Sequence, residues 1–299
     1  MRNLIDFFKN IGKKQNIPNN IQINSQPSFG GKIPYVSDSS IFKYNDHWGL
    51  FGVNQVVVSD NKVDNIYHKT AVLMPVANRI EPQVENALRE LEAMGMKVFR
   101  QTGYSAIDQA RNRMIYYALY QHGFESVLWI DSDVVFKADD VKRIIDHNLP
   151  ICAGAYPFKN IYTRQMAITT INNEPIKFGI DELVEIQCAA TGFLFIKKEV
   201  CDTMIKKYQM PLCNTSFDQP CYPVFKPDNW IIDGIDYYLG EDYSFCMRAR
   251  NCGYKIMLDP SIKLGHIGTY VYSWEDVVHG PKAEVKNFQF TSNNHKHIS

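Results

Sequence analysis

Three short apolar runs, "TAVLMPV" (70–76), "MKVF" (96–99) and "SVLWI" (126–130), are separated by segments of helical periodicity, and this alternation constrains the fold more than any other feature. The first run lacks polar alternation, as expected of a strand covered on both faces. Beyond it, Pro82 stands at a first helical turn, Val84, Leu88, Leu91 and Met94 share one face, and Gly95 follows as a stop. After the second run, Ser105 and Asp108 have capping-box spacing, Ile107, Ala110, Met114 and Ala118 form an apolar stripe, and Gly123 ends the helix. Strand, helix, strand, helix, strand is a βαβαβ unit, which implies right-handed crossovers, a parallel sheet and the α/β class.

The rest of the chain has a different texture. "PICAGAYPF" (150–158) and the apolar part of "EIQCAATGFLFIKKEV" (185–200) read as strands, with a helix over 199–207. Residues 209–239, rich in Pro and Cys, read as a loop region over a site; "GEDYSFCMRARNCG" (240–253) is a short helix and "YKIML" (254–258) a strand. Residues 1–69 lack sustained periodicity and are expected to be an N-terminal extension, 70–274 a single domain with halves 70–160 and 161–274, and 275–299 a polar tail.

Among 299 residues, 45% are apolar, enough for a substantial core, while Lys plus Arg and Asp plus Glu number 32 each, so no net field draws the chain to nucleic acid. The seven cysteines contain no CxxC pair and several lie in apolar runs, as expected of reduced structural thiols in a cytosolic setting. No apolar run reaches 18 residues and no signal peptide is evident, so a cytoplasmic protein without a membrane span is expected. Leu4, Ile5, Phe8 and Ile11 recur at helical spacing beside Lys9, Lys13 and Lys14, which suits a docked terminal helix or a peripheral contact with a membrane surface. Oligomeric state is not legible.

The third strand runs directly into Asp131-Ser132-Asp133. Ligands of open parallel sheets bind beyond the carboxyl ends of the strands, and alternation along an extended segment would aim both acids into one pocket. Two adjacent carboxylates repel, and a divalent cation completed by substrate phosphates relieves that, so Mn²⁺ or Mg²⁺ with a diphosphate ligand is expected. His266, between glycines in "KLGHIG", is a candidate third ligand whose nitrogen favours Mn²⁺. Glu241 and Asp242 open a helix, where they either cap it or supply a general base that the helix dipole keeps ionised. Arg111 and Asn112 stand beside an apolar stripe, suited to a phosphate or base carbonyl, or simply to a solvated helix face. Asn78 and Arg79 follow the first strand, where a nucleotide would enter, and Trp230 either stacks on a sugar or packs as a loop anchor.

Taken in order, "VLMPVANR", "ARNR", "WIDSDVVF", "AATGFLFIKKEV", "GEDYSFCMRARNCGYKIMLDP" and "GHIG" resemble a GT-A fold glycosyltransferase of the family 2-like type, over about residues 70 to 272. The resemblance implies a Rossmann-like nucleotide-binding half with a mostly parallel sheet and an acceptor-binding half. It implies that Asp131 and Asp133 bind the metal and the ribose or diphosphate of a nucleoside-diphosphate sugar, with His266 completing the metal site. It further implies that Asp242 is the base of an inverting transfer, that Glu241 contacts acceptor or donor sugar, and that Thr191 and Gly192 wall the donor sugar. The acceptor would be the hydroxyl of a glycan or glycoconjugate. A retaining transferase, a catalytically silent sugar-binding module and a metal-dependent nucleotidyltransferase are the alternatives, and the sugar, nucleotide and acceptor are not identified by sequence.

Overall fold

A computed structural model describes residues 66–160, 165–232 and 234–277, together with the backbone of 295–297. The N-terminal helix expected around Leu4 to Ile11, nearly all of the extension and most of the tail lie outside the described residues.

In chain order the elements are β1 (Thr70–Pro75), α1 (Pro82–Ala93), β2 (Lys97–Gln101), α2 (Ile107–Tyr116, continued by a π turn over Tyr117–Gln121), β3 (Ser126–Ile130), β4 (Val134–Val135), α3 (Ala138–Asp146) and β5 (Ile151–Ala153). There follow β6 (Ile168–Thr169), β7 (Val184–Ile186), β8 (Cys188–Ala189), β9 (Phe193–Lys197), α4 (Lys198–Lys207), β10 (Asp228–Ile232), β11 (Ile235–Leu239), α5 (Glu241–Asn251), β12 (Ile256–Leu258), β13 (Gly265–Ile267), β14 (Val271–Tyr272), α6 (Trp274–Val277) and β15 (His295–His297).

The main sheet has seven strands in the order β2-β1-β3-β9-β5-β12-β7. The β1–β2, β1–β3 and β5–β12 pairs are parallel, whereas β9 runs against both its neighbours and β7 against β12, so the sheet is mostly parallel with two reversed strands. Alternation along the strands explains how both faces are filled. Ala71, Leu73, Val127 and Trp129 point into a core built with α2, α4 and α5. Val72, Met74, Leu128 and Ile130 point to the other face, against α1 and α3. This α/β architecture agrees with the GT-A-like fold that the resemblance implies. Cys152, Cys188, Cys201 and Cys246 are buried free thiols within these cores.

Several local expectations differ from the structure. The stretch 150–158 is strand only over β5, and the region 209–239 expected as loop ends in the antiparallel β10–β11 hairpin, whose Trp230, Ile232 and Leu239 turn into the core. Met94 does not share the buried face of α1; it is the C-cap and 39% exposed, because Gly95 turns the chain at φ +86° immediately after it. The Ser105–Asp108 capping box does not form: Ala106 is the N-cap of α2, without a side-chain cap bond. And the acids of the third strand are not on extended backbone. β3 ends at Ile130, and a tight turn closed by Val134 N donating to Asp131 O (3.1 Å) carries both aspartates.

Candidate active site

The turn after β3 is held from two sides by backbone. Asp131 N donates to Gly192 O (3.1 Å), just ahead of β9, and Ser132 O accepts from Glu81 N (3.0 Å), at the start of α1. Because β9 pairs antiparallel with β3, its N-terminal end lies beside the C-terminal end of β3, and Thr191 and Gly192 meet Asp131 there.

Arg111 joins the parts of the site that are farthest apart in sequence. Its Nη2 donates to Asp131 Oδ1 at 2.9 Å, its Nε to Glu241 Oε1 at 3.3 Å, and its guanidinium lies 5.2 Å from the Trp129 ring centroid. It is 4% exposed, so the solvated-face alternative fails: the arginine lies beneath the site, paired to two carboxylates. Burial alone would lower the pKa of its guanidinium, but the charges of Asp131 and Glu241 outweigh that and raise it. Asn112, buried beside it, accepts from Phe225 N (2.7 Å) and so anchors the loop that leads into β10.

Asp133 turns to a different set of partners. Lys159 Nζ lies 2.5 Å from its Oδ2, and His266 Nε2 lies 3.5 Å from its Oδ1. Burial pushes the Asp133 carboxyl up, yet the hydrogen bonds from His266 and Lys159 win and hold it at about 2. β13 carries His266 and pairs with β4, just past Asp133, which explains why residues so distant in sequence meet. His266 Nδ1 faces Pro157 O at 2.9 Å, which accepts its proton, so Nε2 is the nitrogen turned toward Asp133. An imidazole nitrogen beside a carboxylate oxygen is a donor pair whose chemistry suits Mn²⁺. Among the described residues no three His, Cys, Asp or Glu side chains gather as a complete metal cluster, so further ligands would have to come from substrate oxygens and water. Asp131 gives its Oδ1 to Arg111, which leaves Oδ2 as the oxygen available to a cation or a ribose hydroxyl.

Glu241 and Asp242 open α5 behind Gly240, which as N-cap has no side chain to offer, and Asp242 Oδ1 bonds a first-turn N–H, that of Tyr243, in keeping with the local alternative. The expected effect of the helix dipole on Asp242 is reversed. Burial and the adjacent Glu241 charge push its carboxyl up to about 6, against the hydrogen bond from Tyr243 N (2.7 Å) and the charge of Arg111, which pull it down. Trp230 is corrected as well: it is fully buried and its Nε1 donates to Ser244 Oγ (3.2 Å), so it is the anchor of β10 against α5, not a sugar platform. Asn78 and Arg79 are exposed on the β1–α1 connection, with Arg79 Nε bonded to Glu81 Oε1 (2.9 Å), one step from the Ser132 contact.

Three residues here were not singled out from sequence. Lys159 is the ammonium on Asp133. Tyr104, on the β2–α2 connection, has its hydroxyl raised by burial, then by Asp131, with smaller contributions from Asp133 and Glu241, so it senses acids from both halves of the site. Tyr156, 5% exposed, accepts from Gly192 N through its hydroxyl (3.1 Å) and meets the His266 ring edge-on at 5.1 Å between centroids. None lies in a recognisable motif, and Tyr156 falls in a stretch expected as strand that continues past the end of β5.

No family model and no curated protein matches the chain. Among solved structures, A197 from STIV matches at 16% identity and a TM-score of 0.45, over 76% of this chain and 99% of that one. GalNAc-T7, in a crystal structure with UDP, GalNAc and Mn²⁺, matches at 12% identity and a TM-score of 0.38, over 67% of this chain and 44% of that one. Likenesses at this level carry nothing about activity, and the fold stands on the sheet order and packing described above.

Proposed function

We propose that the protein is a glycosyltransferase that moves a sugar from a nucleoside-diphosphate sugar to an acceptor hydroxyl of a glycan or glycoconjugate, with inversion. The observation that carries this reading is a buried arginine, Arg111, bonded at once to Asp131 of the strand-end turn and Glu241 of the α5 start, with Asp133 on the same turn facing His266. A structural ion pair needs one acid. Here one cation organises an acidic corner at the end of a mostly parallel sheet, where ligands of such sheets bind.

In this reading Asp133 and His266 hold a divalent cation, Mn²⁺ or Mg²⁺, with the donor diphosphate. When bound, the ion supplies Lewis-acid stabilisation of the negative charge that grows on the leaving diphosphate. Asp131, kept ionised and oriented by Arg111, accepts hydrogen bonds from the ribose hydroxyls. Lys159, on the other oxygen of Asp133, offers a second positive charge to the diphosphate. Asn78 and Arg79 face the incoming nucleotide from the rim, and Thr191 and Gly192 wall the sugar.

Asp242 then takes the acceptor proton as its oxygen attacks the anomeric carbon from the side opposite the leaving group. A carboxyl raised to about 6 is still mostly ionised at neutral pH and is a stronger base than a free aspartate, which is what this step requires. Burial and the like charge of Glu241 keep Asp242 raised, and Glu241, whose Oε1 takes the Arg111 bond, offers its other oxygen to a sugar hydroxyl.

The test is a panel of UDP- and GDP-sugars with Mn²⁺, following release of the nucleoside diphosphate by the full-length protein. Release from at least one donor is expected, lowered about 100-fold or more by Asp242→Asn, with inverted anomeric configuration in the product by NMR. Release of none, or release unaffected by Asp242→Asn, contradicts the reading.

A further inference from the structure

Around Gly192 two buried polar atoms lack partners and a third group uses only part of its bonding capacity. The Tyr156 hydroxyl accepts from Gly192 N at 3.1 Å, and among the described residues nothing accepts its proton. Thr191 Oγ1, one residue before Gly192, has no hydrogen-bond partner. Arg111 binds Asp131 through Nη2 and Glu241 through Nε, and its Nη1 has none. All three residues are at least nine-tenths buried. Buried orphans are rare, since each costs the fold the hydration it gave up, and two of them beside a phenol with an unused proton, around one glycine and the aspartate bonded to it, call for a ligand that returns those bonds. The glycine itself is needed for this arrangement: a Cβ on Gly192 would fall 2.4 Å from the Tyr156 hydroxyl oxygen.

The chemistry of the missing partner follows from what is offered. Tyr156 and Arg111 Nη1 give protons, and Thr191 gives or accepts one, so the ligand presents acceptor oxygens, and a hydroxyl among them can serve Thr191 in either sense. Asp131, Glu241 and Asp242 make the surroundings acidic: the first and third of these raise the Tyr156 phenol, and all three charges act on their neighbours in the corner. A phosphate would be repelled there, whereas a neutral polyhydroxylated ring would not.

We infer that Tyr156, together with Thr191 and the free arm of Arg111, reads the hydroxyls of the donor sugar, making Tyr156 a specificity-determining residue; this rests on the nucleotide-sugar reading above. A site built to bond a hydroxyl rejects ligands that lack it, because its own buried groups are then left unpaired.

The experiment is calorimetric titration of the full-length protein in Mn²⁺ with UDP and GDP, and with UDP-glucose, UDP-galactose, UDP-N-acetylglucosamine and GDP-mannose. Wild-type protein should bind one nucleotide sugar more tightly than the matching nucleoside diphosphate. Tyr156→Phe should weaken that nucleotide sugar about tenfold or more while leaving the nucleoside diphosphate within about twofold. Thr191→Val should act in the same direction and also raise the Tm of the unliganded protein, since it removes an orphan hydroxyl; if Tyr156→Phe does not fold, this variant decides. Variants that weaken both ligands equally, or neither, overturn the inference and leave the nucleotide-sugar reading standing. Wild-type protein that binds no nucleotide or nucleotide sugar overturns that reading, and the inference with it.

Discussion

Ionised Asp242 works against the fold. Its carboxyl rises from an ordinary 3.8 to about 6 on folding, so its contribution to stability is fully present below about pH 3.8 and is lost as pH rises through about 6. Asp242→Asn should therefore stabilise the protein at pH 8 by about 2–3 kcal/mol in urea unfolding while it abolishes turnover. In the active wild type, kcat/KM should fall as pH drops through about 6, because the base becomes protonated. Asp133 has the opposite sign: held at about 2 by His266 and Lys159, it contributes stability above pH 3.8 that is lost as pH falls toward 2. Arg111→Met should destabilise by about 3 kcal/mol in the same unfolding experiment, since it leaves Asp131 and Glu241 facing each other without a cation. The acids and His266 were legible because motif spacing announces them. Tyr104, Tyr156 and Lys159 were not, because a lone loop residue gains its role only from what the fold brings against it. Trp230 was misjudged for the same reason: Ser244, not sequence context, decides that its indole faces inward.

At the level of elements, the βαβαβ unit and its parallel pairing were readable from periodicity, since a strand buried on both faces needs a continuous apolar run. The direction of β9 was not. An apolar run is the same whichever way it is traversed, and its reversal is what brings Thr191 and Gly192 to the end of β3. The expectation that Asp131 and Asp133 would share a face failed because it assumed extended backbone where the chain turns, and the turn sends one acid to Arg111 and the other to Lys159 and His266. Close packing where β5 leaves the sheet gives a prediction at this scale. A Cβ on Gly154 would fall 2.8 Å from Phe193 Cδ1 and 2.9 Å from Leu264 Cδ1, so Gly154→Ala should lower the urea midpoint, corresponding to about 1–3 kcal/mol, by overpacking against Phe193 of β9 and Leu264 of the β12–β13 connection. An unchanged midpoint would mean that the neighbouring side chains relax without cost.

For the described part of the molecule, a sheet covered on both faces leaves its strand ends as the surface where polar chemistry can collect. The acids, the arginine beneath them and the histidine on β13 converge at that edge from segments spread between residues 104 and 266. Among the described residues no helix is long and apolar enough to cross a membrane. The central claim is that Asp133 and His266 receive a divalent cation with a diphosphate. Crystals grown with Mn²⁺ and UDP test it most directly through the manganese anomalous signal. The account predicts a peak in coordination contact with Asp133 and His266 Nε2, bridging to the diphosphate. A map with nucleotide bound but no such peak, or with manganese only elsewhere on the protein, would contradict it.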